Sequence, residues 1–324
     1  MKKYLILSVV ALGYQAASAQ SLLETFGSGS DQFEMEFVTI GNPNNPADTT
    51  GSPNPVGSVA YTYNLGKYEV SRDQIDKANA AGSLGITMFD MTNYGGNGLL
   101  KPATGVSWYE AAKFVNWLNT STGNTVAYKF DGSGNFQLWS STDAGYNANN
   151  LFRNSLAKYW LPSSDEWYKG AYGNPNGSWS KFPNGSDSAP AAVAGGTDAN
   201  TAVYDQSLST GPADITNAGG LSPYGTMAQA GNVREWNETA WNAPNDTVGE
   251  GRLLRGGSWN FSSSYLDARL LQFLGPSVEN SSPFSPLDNN GNFGFRVASA
   301  PEPSSLSLLP LGGVVVALRR RKRV

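Results

Sequence analysis

The stretch from Gly173 to Pro223 constrains the fold most, because no helical or strand period holds along it. Glycine, proline, asparagine and serine dominate, and these residues favour turns and loops. Such a length without elements is unusual in a compact domain unless the loops are ordered or functional. Aromatic residues within it, including Trp179 and Tyr204, can anchor irregular segments to a core. The sequence therefore predicts a single loop-rich α+β domain.

Regular elements are predicted at a few other places. The segment 20–58 is rich in loop residues, apart from the alternating stretch Phe33–Val38, which is typical of a strand. A second strand is predicted within Tyr63–Val70. The segments on either side of Asp131–Asn135 form a hairpin pattern.

Three helices are predicted from one signal, a serine followed three residues later by glutamine or glutamate, which can form a capping box. The pairs are Ser71 with Gln74, Ser107 with Glu110, and Ser163 with Glu166. Gly82 and Gly173 are predicted to end the first and third helices. The second helix runs to about Asn119 with apolar residues at helical spacing, so one of its faces is expected to be buried.

The N-terminus has the order of a signal peptide over residues 1–19. A charged start is followed by an apolar run to Leu12 and by small residues at Ala17 and Ala19. The apolar run is shorter than the ~20 residues of a membrane-spanning helix. We therefore predict cleavage by signal peptidase and a mature chain that begins at Gln20.

The C-terminal segment 300–324 contains Pro301-Glu302-Pro303, the apolar stretch Leu306–Leu318 and the basic tail Arg319–Arg323. This order resembles the PEP-CTERM sorting signal of Gram-negative bacteria, which implies processing by an exosortase. A plain tail anchor is the alternative. In both cases the basic tail stays in the cytoplasm. The body is then expected in the cell envelope or at the extracellular surface, anchored transiently in the inner membrane.

Composition excludes several classes of function. The chain has 15% charged residues and a net charge of −4, whereas a nucleic-acid partner requires a basic face. It has no cysteine and no histidine. Catalysis through a Ser-His-Asp or Cys-His arrangement, and metal binding through histidine, are therefore excluded. The remaining chemistry must use carboxylates, lysine, tyrosine, serine, arginine or backbone groups.

Five motifs in order resemble the formylglycine-generating enzyme family, also called sulfatase-modifying factor domains, and the resemblance spans roughly residues 35–299 within a predicted domain of residues 20–299. The motifs are Val106–Ala112, Tyr159–Trp167, Gly231–Trp236, Leu254–Trp259 and Phe293–Val297. The resemblance implies a loop-rich variant of the C-type lectin fold. The motif residues suit an architectural role, because glycine permits close backbone approach and arginine offers a rigid fork of donors. Those residues are Arg255, Gly256, Gly257, Trp259 and Arg296.

The oxidases of this family bind copper through two cysteines that follow the Gly-Gly-Ser-aromatic motif. The matching positions here are Phe261 and Leu266, whereas the active-site serine is retained as Ser258. A hydroxyl without thiolates does not hold copper, which prefers sulfur ligands. A related branch uses iron held by histidines, which this chain lacks. We therefore expect neither copper nor iron and no formylglycine-generating activity.

A calcium site is the one metal hypothesis that remains. The family's asparagine in the Gly-Asn motif is a calcium ligand, so Asn232, the Val233 carbonyl and Glu235 are the candidates. Alternatively, these groups satisfy loop backbone atoms. Asp165 and Glu166 are expected to serve the N-terminus of a helix, whose dipole favours acidic residues.

These observations predict a non-catalytic surface protein whose domain binds a polysaccharide or a peptide. Two alternatives remain open. One is an enzyme of the same family with altered chemistry, and the other is a structural component of the extracellular matrix.

Overall fold

The three α-helices begin next to the serines that the sequence marked. The computed structural model describes residues 21–270 and 291–301, with α1 at Arg72–Gly82, α2 at Trp108–Ser121 and α3 at Ser164–Tyr172. At each helix the serine hydroxyl accepts a hydrogen bond from the backbone N–H three residues later. The glutamine or glutamate there accepts one from the serine N–H. All three capping boxes are thereby confirmed, and Gly173 ends α3 as predicted.

The predicted signal peptide and the sorting signal beyond Pro301 lie outside the described residues. Within the described part of the chain, no helix combines the length and the apolar character needed to cross a membrane.

The strands are short, and most of them lie at the two ends of the chain. They are β1 (Ser21–Phe26), β2 (Phe33–Ile40), β3 (Tyr63–Gly66), β4 (Lys129–Phe130), β5 (Phe136–Gln137), β6 (Tyr159–Trp160), β7 (Ala191–Ala192), β8 (Thr201–Ala202), β9 (Arg234–Ala240), β10 (Arg252–Arg255), β11 (Phe293–Gly294) and β12 (Ala298–Ser299). A five-stranded antiparallel sheet has the order β1-β2-β3-β12-β6. A smaller mixed sheet has the order β10-β9-β11.

Both ends of the described domain leave the large sheet on the same side. One row of paired residues crosses the sheet through Ser21, Val38, Leu65 and Ala298. Since neighbouring strands lie about 4.8 Å apart, Ser21 and Ala298 are separated by about 14 Å. Asn292 lies toward the other end of this sheet, because the chain that follows it runs antiparallel to residues 65–70 before entering β12.

The structure confirms the loop-rich α+β fold and corrects two strand predictions. Strand β1 lies in a segment that was predicted to be irregular, and β3 ends at Gly66 rather than continuing to Val70. Beyond Gly66 the Lys67 N–H still donates to the Glu36 carbonyl, after which the chain turns into α1. The predicted hairpin is present as β4 and β5. The stretch 173–223 contains only β7, β8 and one turn of 3₁₀-helix.

The main core packs α2 against the large sheet through aromatic side chains. Trp108 and Phe114 of α2 are completely buried, as are Tyr63 and Tyr159 of the sheet. Trp236 of β9 joins the same cluster and donates its ring N–H to the Val106 carbonyl, directly before the helix. Aromatic packing thus holds the loops of a domain that has no disulfide.

Candidate functional site

Glu235 and Arg296 form an ion pair with no solvent exposure. Arg296 Nε and Nη2 each donate to one carboxylate oxygen of Glu235 at 2.6 Å. Other guanidinium N–H groups donate to the carbonyls of Gly66 and Met227, and Trp167 Nε1 donates to Glu235 at 2.7 Å. A buried pair of this kind is neutralised and satisfied inside the protein. Its role is to join separate segments of the fold.

A second buried carboxyl group, Glu69, lies beside this pair. Asn232 Nδ2 donates to it at 2.5 Å and the Val233 N–H donates at 3.2 Å. Burial raises the pKa of the Glu69 carboxyl well above its ordinary value, and the neighbouring Glu235 charge acts in the same direction. Glu69 therefore binds a proton at a higher pH than an exposed glutamate does.

The side-chain oxygens proposed for calcium, those of Asn232 and Glu235, already accept hydrogen bonds from the protein. Asn232 Oδ1 accepts from the Ala213 N–H at 2.8 Å, and both oxygens of Glu235 accept from Arg296. Calcium takes about six to eight oxygen ligands, so this donor set does not fit the ion. Across residues 21–270 and 291–301, no three histidine, cysteine, aspartate or glutamate side chains assemble in metal-site geometry. These contacts agree with the alternative, in which the amide and the carboxylate satisfy neighbouring groups of the fold.

The remaining motif residues hold α3 and the turn after β10. Arg255 is buried and donates through Nε and Nη2 to Ser164 Oγ at the start of α3. Gly256 and Gly257 have φ values of 99° and 74°, which favour glycine. A Cβ on Gly256 would lie 3.3 Å from the Trp167 ring, so the turn packs directly on α3.

The acidic pair at the start of α3 is also used within the fold. Asp165 accepts from the Gly57 N–H at 2.7 Å. Glu166 closes the capping box and accepts from Trp160 Nε1 at 3.1 Å. Both carboxylates accept hydrogen bonds from segments outside the helix.

Phe261 and Leu266, the two positions predicted to match the cysteines of the oxidases, have different surroundings. Phe261 is half-buried, with its ring 4.5 Å from that of Tyr265. Leu266 is fully buried in a small cluster with Phe182 and Tyr204. Both positions therefore contribute carbon atoms to packing.

A cavity of about 240 Å³ opens beside the Gly-Gly-Ser-Trp turn. Three loops and one turn of 3₁₀-helix supply its walls, and none of the lining side chains is ionisable at neutral pH. They are Phe89, Met91, Tyr94, Leu208, Trp259, Asn260, Gly291 and Asn292. We refer to this set as the aromatic cavity.

Glycines fix the Phe89 ring in the wall of the aromatic cavity. A Cβ on Gly105 would lie 2.5 Å from the Phe89 Cβ, and one on Gly291 would lie 2.9 Å from its ring. The Phe89 N–H donates to the Thr104 carbonyl, while Arg72 donates to the Phe89 carbonyl. Phe89 is nevertheless 40% exposed. It is a rigidly held aromatic ring that faces solvent.

The adjoining wall, which carries Tyr94 and Leu208, is fixed in a similar way. A Cβ on Gly95 would lie 2.4 Å from the Thr210 carbonyl oxygen, so the loop that carries Tyr94 packs backbone to backbone on the turn that carries Leu208. Trp259 Nε1 donates to the Leu208 carbonyl at 3.2 Å. The rings of Phe89 and Tyr94 lie 6.0 Å apart at 46°. The walls are thus pre-formed.

Ser258 links the two amide side chains of the aromatic cavity. Its Oγ donates to Asn260 Oδ1 at 2.7 Å and lies 3.5 Å from Asn292 Nδ2. Asn292 Oδ1 has no hydrogen-bond partner among the described residues, although that atom is buried. Because that atom is closed off from solvent, the amide that remains available to a ligand in the lining is the Nδ2 group of Asn260.

Sequence reasoning identified Ser258 and Trp259 but missed Phe89, Tyr94 and Leu208. These three residues come from loops with no period and no recognisable motif. The one available signal was the run Gly95-Gly96, followed by Gly98, which indicates tight turns and close backbone approach.

Comparison with known proteins defines the family to which the chain belongs. Residues 32–301 match the family of the sulfatase-modifying factor enzyme 1-like domain. The chain belongs to this family, and its fold is the loop-rich, C-type-lectin-like fold of the formylglycine-generating enzyme type. No curated protein matches the chain.

Three solved structures share the fold at low sequence identity. Treponema denticola variable protein 1 is 20% identical, with a TM-score of 0.58 over 88% of this chain and 100% of that one. CarF is 18% identical, with a TM-score of 0.54 over 82% of this chain and 98% of that one. PvdO from Pseudomonas aeruginosa is also 18% identical, with a TM-score of 0.51 over 86% of this chain and 98% of that one.

Proposed function

We propose that this protein is a non-catalytic binding module of the sulfatase-modifying factor family, which displays the aromatic cavity to a polysaccharide or peptide at the cell envelope. The observation that carries the proposal is that the whole chain contains neither cysteine nor histidine, the ligands of the family's redox metals. The resemblance assigns Phe261 and Leu266 to the positions of the cysteine pair, and both side chains pack against neighbouring residues. Beside them lies a cavity with rigid aromatic walls.

The pre-formed walls favour binding over chemistry. Ligand sites are concave and largely apolar, with a few polar groups that fix orientation. Because glycine contacts already hold Phe89 and Tyr94, little conformational entropy is lost when a ligand binds. Within the aromatic cavity no residue offers a general base or a strong nucleophile at neutral pH.

Export belongs to the same proposal. Signal peptidase would release the chain after Ala19, and an exosortase would process the segment after Pro301. Mass spectrometry of native material tests this, and an intact Met1 and Val324 on a cytoplasmic protein would contradict it.

Two measurements on the full chain test the binding proposal. In the first, an array of glycans and peptides should show saturable binding that the Phe89→Ala variant loses. In the second, copper-loaded protein is incubated under oxygen with a cysteine-containing sulfatase peptide, and the peptide mass should not change. An aldehyde product above the metal-only control would overturn the proposal in favour of an enzyme. Absence of saturable binding to the array would favour a matrix component.

A further inference from the structure

We infer that the aromatic cavity takes a neutral sugar ring of a polysaccharide, an inference that rests on the proposed binding function and names its ligand class. Three properties of the cavity support it: the aromatic walls, the amide group of Asn260 and the absence of charge.

The first property is the pair of aromatic faces. Phe89 and Tyr94 adjoin at 46°, with ring centroids 6.0 Å apart, and both rings line the opening. The faces of aromatic rings carry partial negative charge. They attract the slightly positive C–H groups on the flat side of a pyranose ring. A sugar ring that packs on this adjoining aromatic pair would bury its apolar side and leave its hydroxyl groups at the rim.

The second property is the amide group of Asn260 in the lining of the cavity. Asn260 uses its Oδ1 to accept from Ser258, which leaves the Asn260 Nδ2 group as a donor to a ligand. A hydroxyl group both donates and accepts hydrogen bonds, so a hydroxyl group of a sugar ring can accept from this amide. Asn292 Oδ1 has no partner among the described residues, but it is closed off from solvent and is not offered to a ligand.

The third property is the absence of charge in the lining. No lining side chain of the aromatic cavity is charged. The carboxylate of an acidic sugar would therefore lose hydration there without a basic partner. A neutral sugar avoids this cost.

Size and backbone geometry argue for a sugar over a peptide. The cavity of about 240 Å³ has room for roughly eight water molecules at about 30 Å³ each, and sites for drug-sized ligands begin at about 300 Å³. Extended peptides commonly add to an exposed strand edge. All lining residues of the aromatic cavity lie in loops, turns or 3₁₀-helix. The cavity offers no strand edge for such pairing.

Calorimetric titration of the full chain tests the inference with three probe classes. The probes are neutral gluco-oligosaccharides with α- and β-linkages, acidic alginate and hyaluronate oligosaccharides, and the cysteine-containing sulfatase peptide. We expect binding of a neutral oligosaccharide only. Tyr94→Ala and Asn260→Ala should each weaken it at least tenfold, whereas Tyr94→Phe should keep it within threefold. Tyr146→Ala is the matched control, because Tyr146 is a similarly exposed aromatic residue outside the cavity, and it should change affinity less than twofold.

Each other outcome overturns the inference. Binding of the acidic oligosaccharides or the peptide in place of neutral sugars would do so while leaving the binding-module proposal intact. Neutral sugar binding that Tyr94→Ala and Asn260→Ala leave unchanged would place the ligand elsewhere. If none of the probes binds, the inference that the ligand is a sugar is wrong. Oxidation of the peptide cysteine would overturn the proposed function itself.

Discussion

The buried ion-pair region and the aromatic cavity differ in how their polar groups are used. In the ion-pair region, Arg296 and Glu235 satisfy one another and the nearby backbone with no solvent exposure. In the cavity, an amide acceptor of Asn292 is left without a partner and an aromatic ring, Phe89, is held rigidly in contact with solvent. The motif residues therefore maintain the fold, whereas loops outside the motifs supply most of the surface available to a ligand.

The largest effect is expected from breaking the ion pair. Glu235→Ala leaves Arg296 buried and unpaired, which should lower the free energy of unfolding by about 3–5 kcal/mol. Glu36→Ala is the control, because Glu36 pairs with Lys67 at the surface and should cost about 0–1 kcal/mol. Urea denaturation measures both. Equal losses in the two variants would contradict the structural role of the buried pair.

A smaller effect is expected from crowding the cavity wall. Gly105→Ala combines a φ of 73° with a Cβ placed 2.5 Å from the Phe89 Cβ. It should cost about 2–3 kcal/mol of stability and should also weaken ligand binding by displacing the Phe89 ring. Gly123→Ala has a φ of 76° but no neighbour within 4 Å, so it should cost only about 1 kcal/mol and leave binding unchanged. Matching behaviour of the two variants would show that Gly105 does not position Phe89.

The raised pKa of Glu69 predicts a pH dependence within the ion-pair region. A carboxyl group whose pKa is raised by folding contributes stability below its unfolded pKa, and this contribution is lost as pH rises through the folded pKa. The Glu69→Gln variant has no carboxyl group to titrate at this position, so it does not lose stability in this way as pH rises. The stability of the variant relative to the parent should therefore increase from pH 4 toward pH 8, by at most about 1.4 kcal/mol per pH unit. A difference that stays constant over this range, measured by urea denaturation at each pH, would contradict the prediction.

The smallest effect is expected from chelation. Because protein donors already occupy the oxygens of Asn232 and Glu235, removing calcium should leave the melting temperature unchanged. Thermal melts with a chelator and with added calcium provide the measurement. A rise in the melting temperature with calcium would restore the hypothesis of a metal at these residues.

Local signals predicted much of the fold. The capping boxes at Ser71, Ser107 and Ser163 depend on residues only three positions apart, and each was found where the sequence placed it. Strand β1 was missed because its edge position is set by pairing with β2. The exposure alternates weakly along Ser21–Phe26, with only Phe26 fully buried.

The site was less predictable, because its geometry depends on long-range contacts. Ser258 and Trp259 belong to a motif, but Phe89 reaches the same cavity through contact with Gly105 and Gly291. Nothing in the local sequence around Phe89 specifies its contact with these two distant glycines. Likewise, the partners of Asn232 lie far along the chain at Glu69 and Ala213, so its oxygen atoms could not be assigned to protein or to metal from the motif alone.

Because Ser21 and Ala298 lie in one row of paired residues across the large sheet, both chain ends are attached to the same end of the domain. Both chain ends leave the sheet on one side, whereas Asn292, at the base of the aromatic cavity, lies up to about 20 Å further along the strand direction. A surface that holds the chain beyond Pro301 would therefore hold the domain by the end remote from the cavity. The cavity would then lie at the end of the domain away from that surface, and an N-terminal fusion partner would sit beside the tether rather than over the ligand.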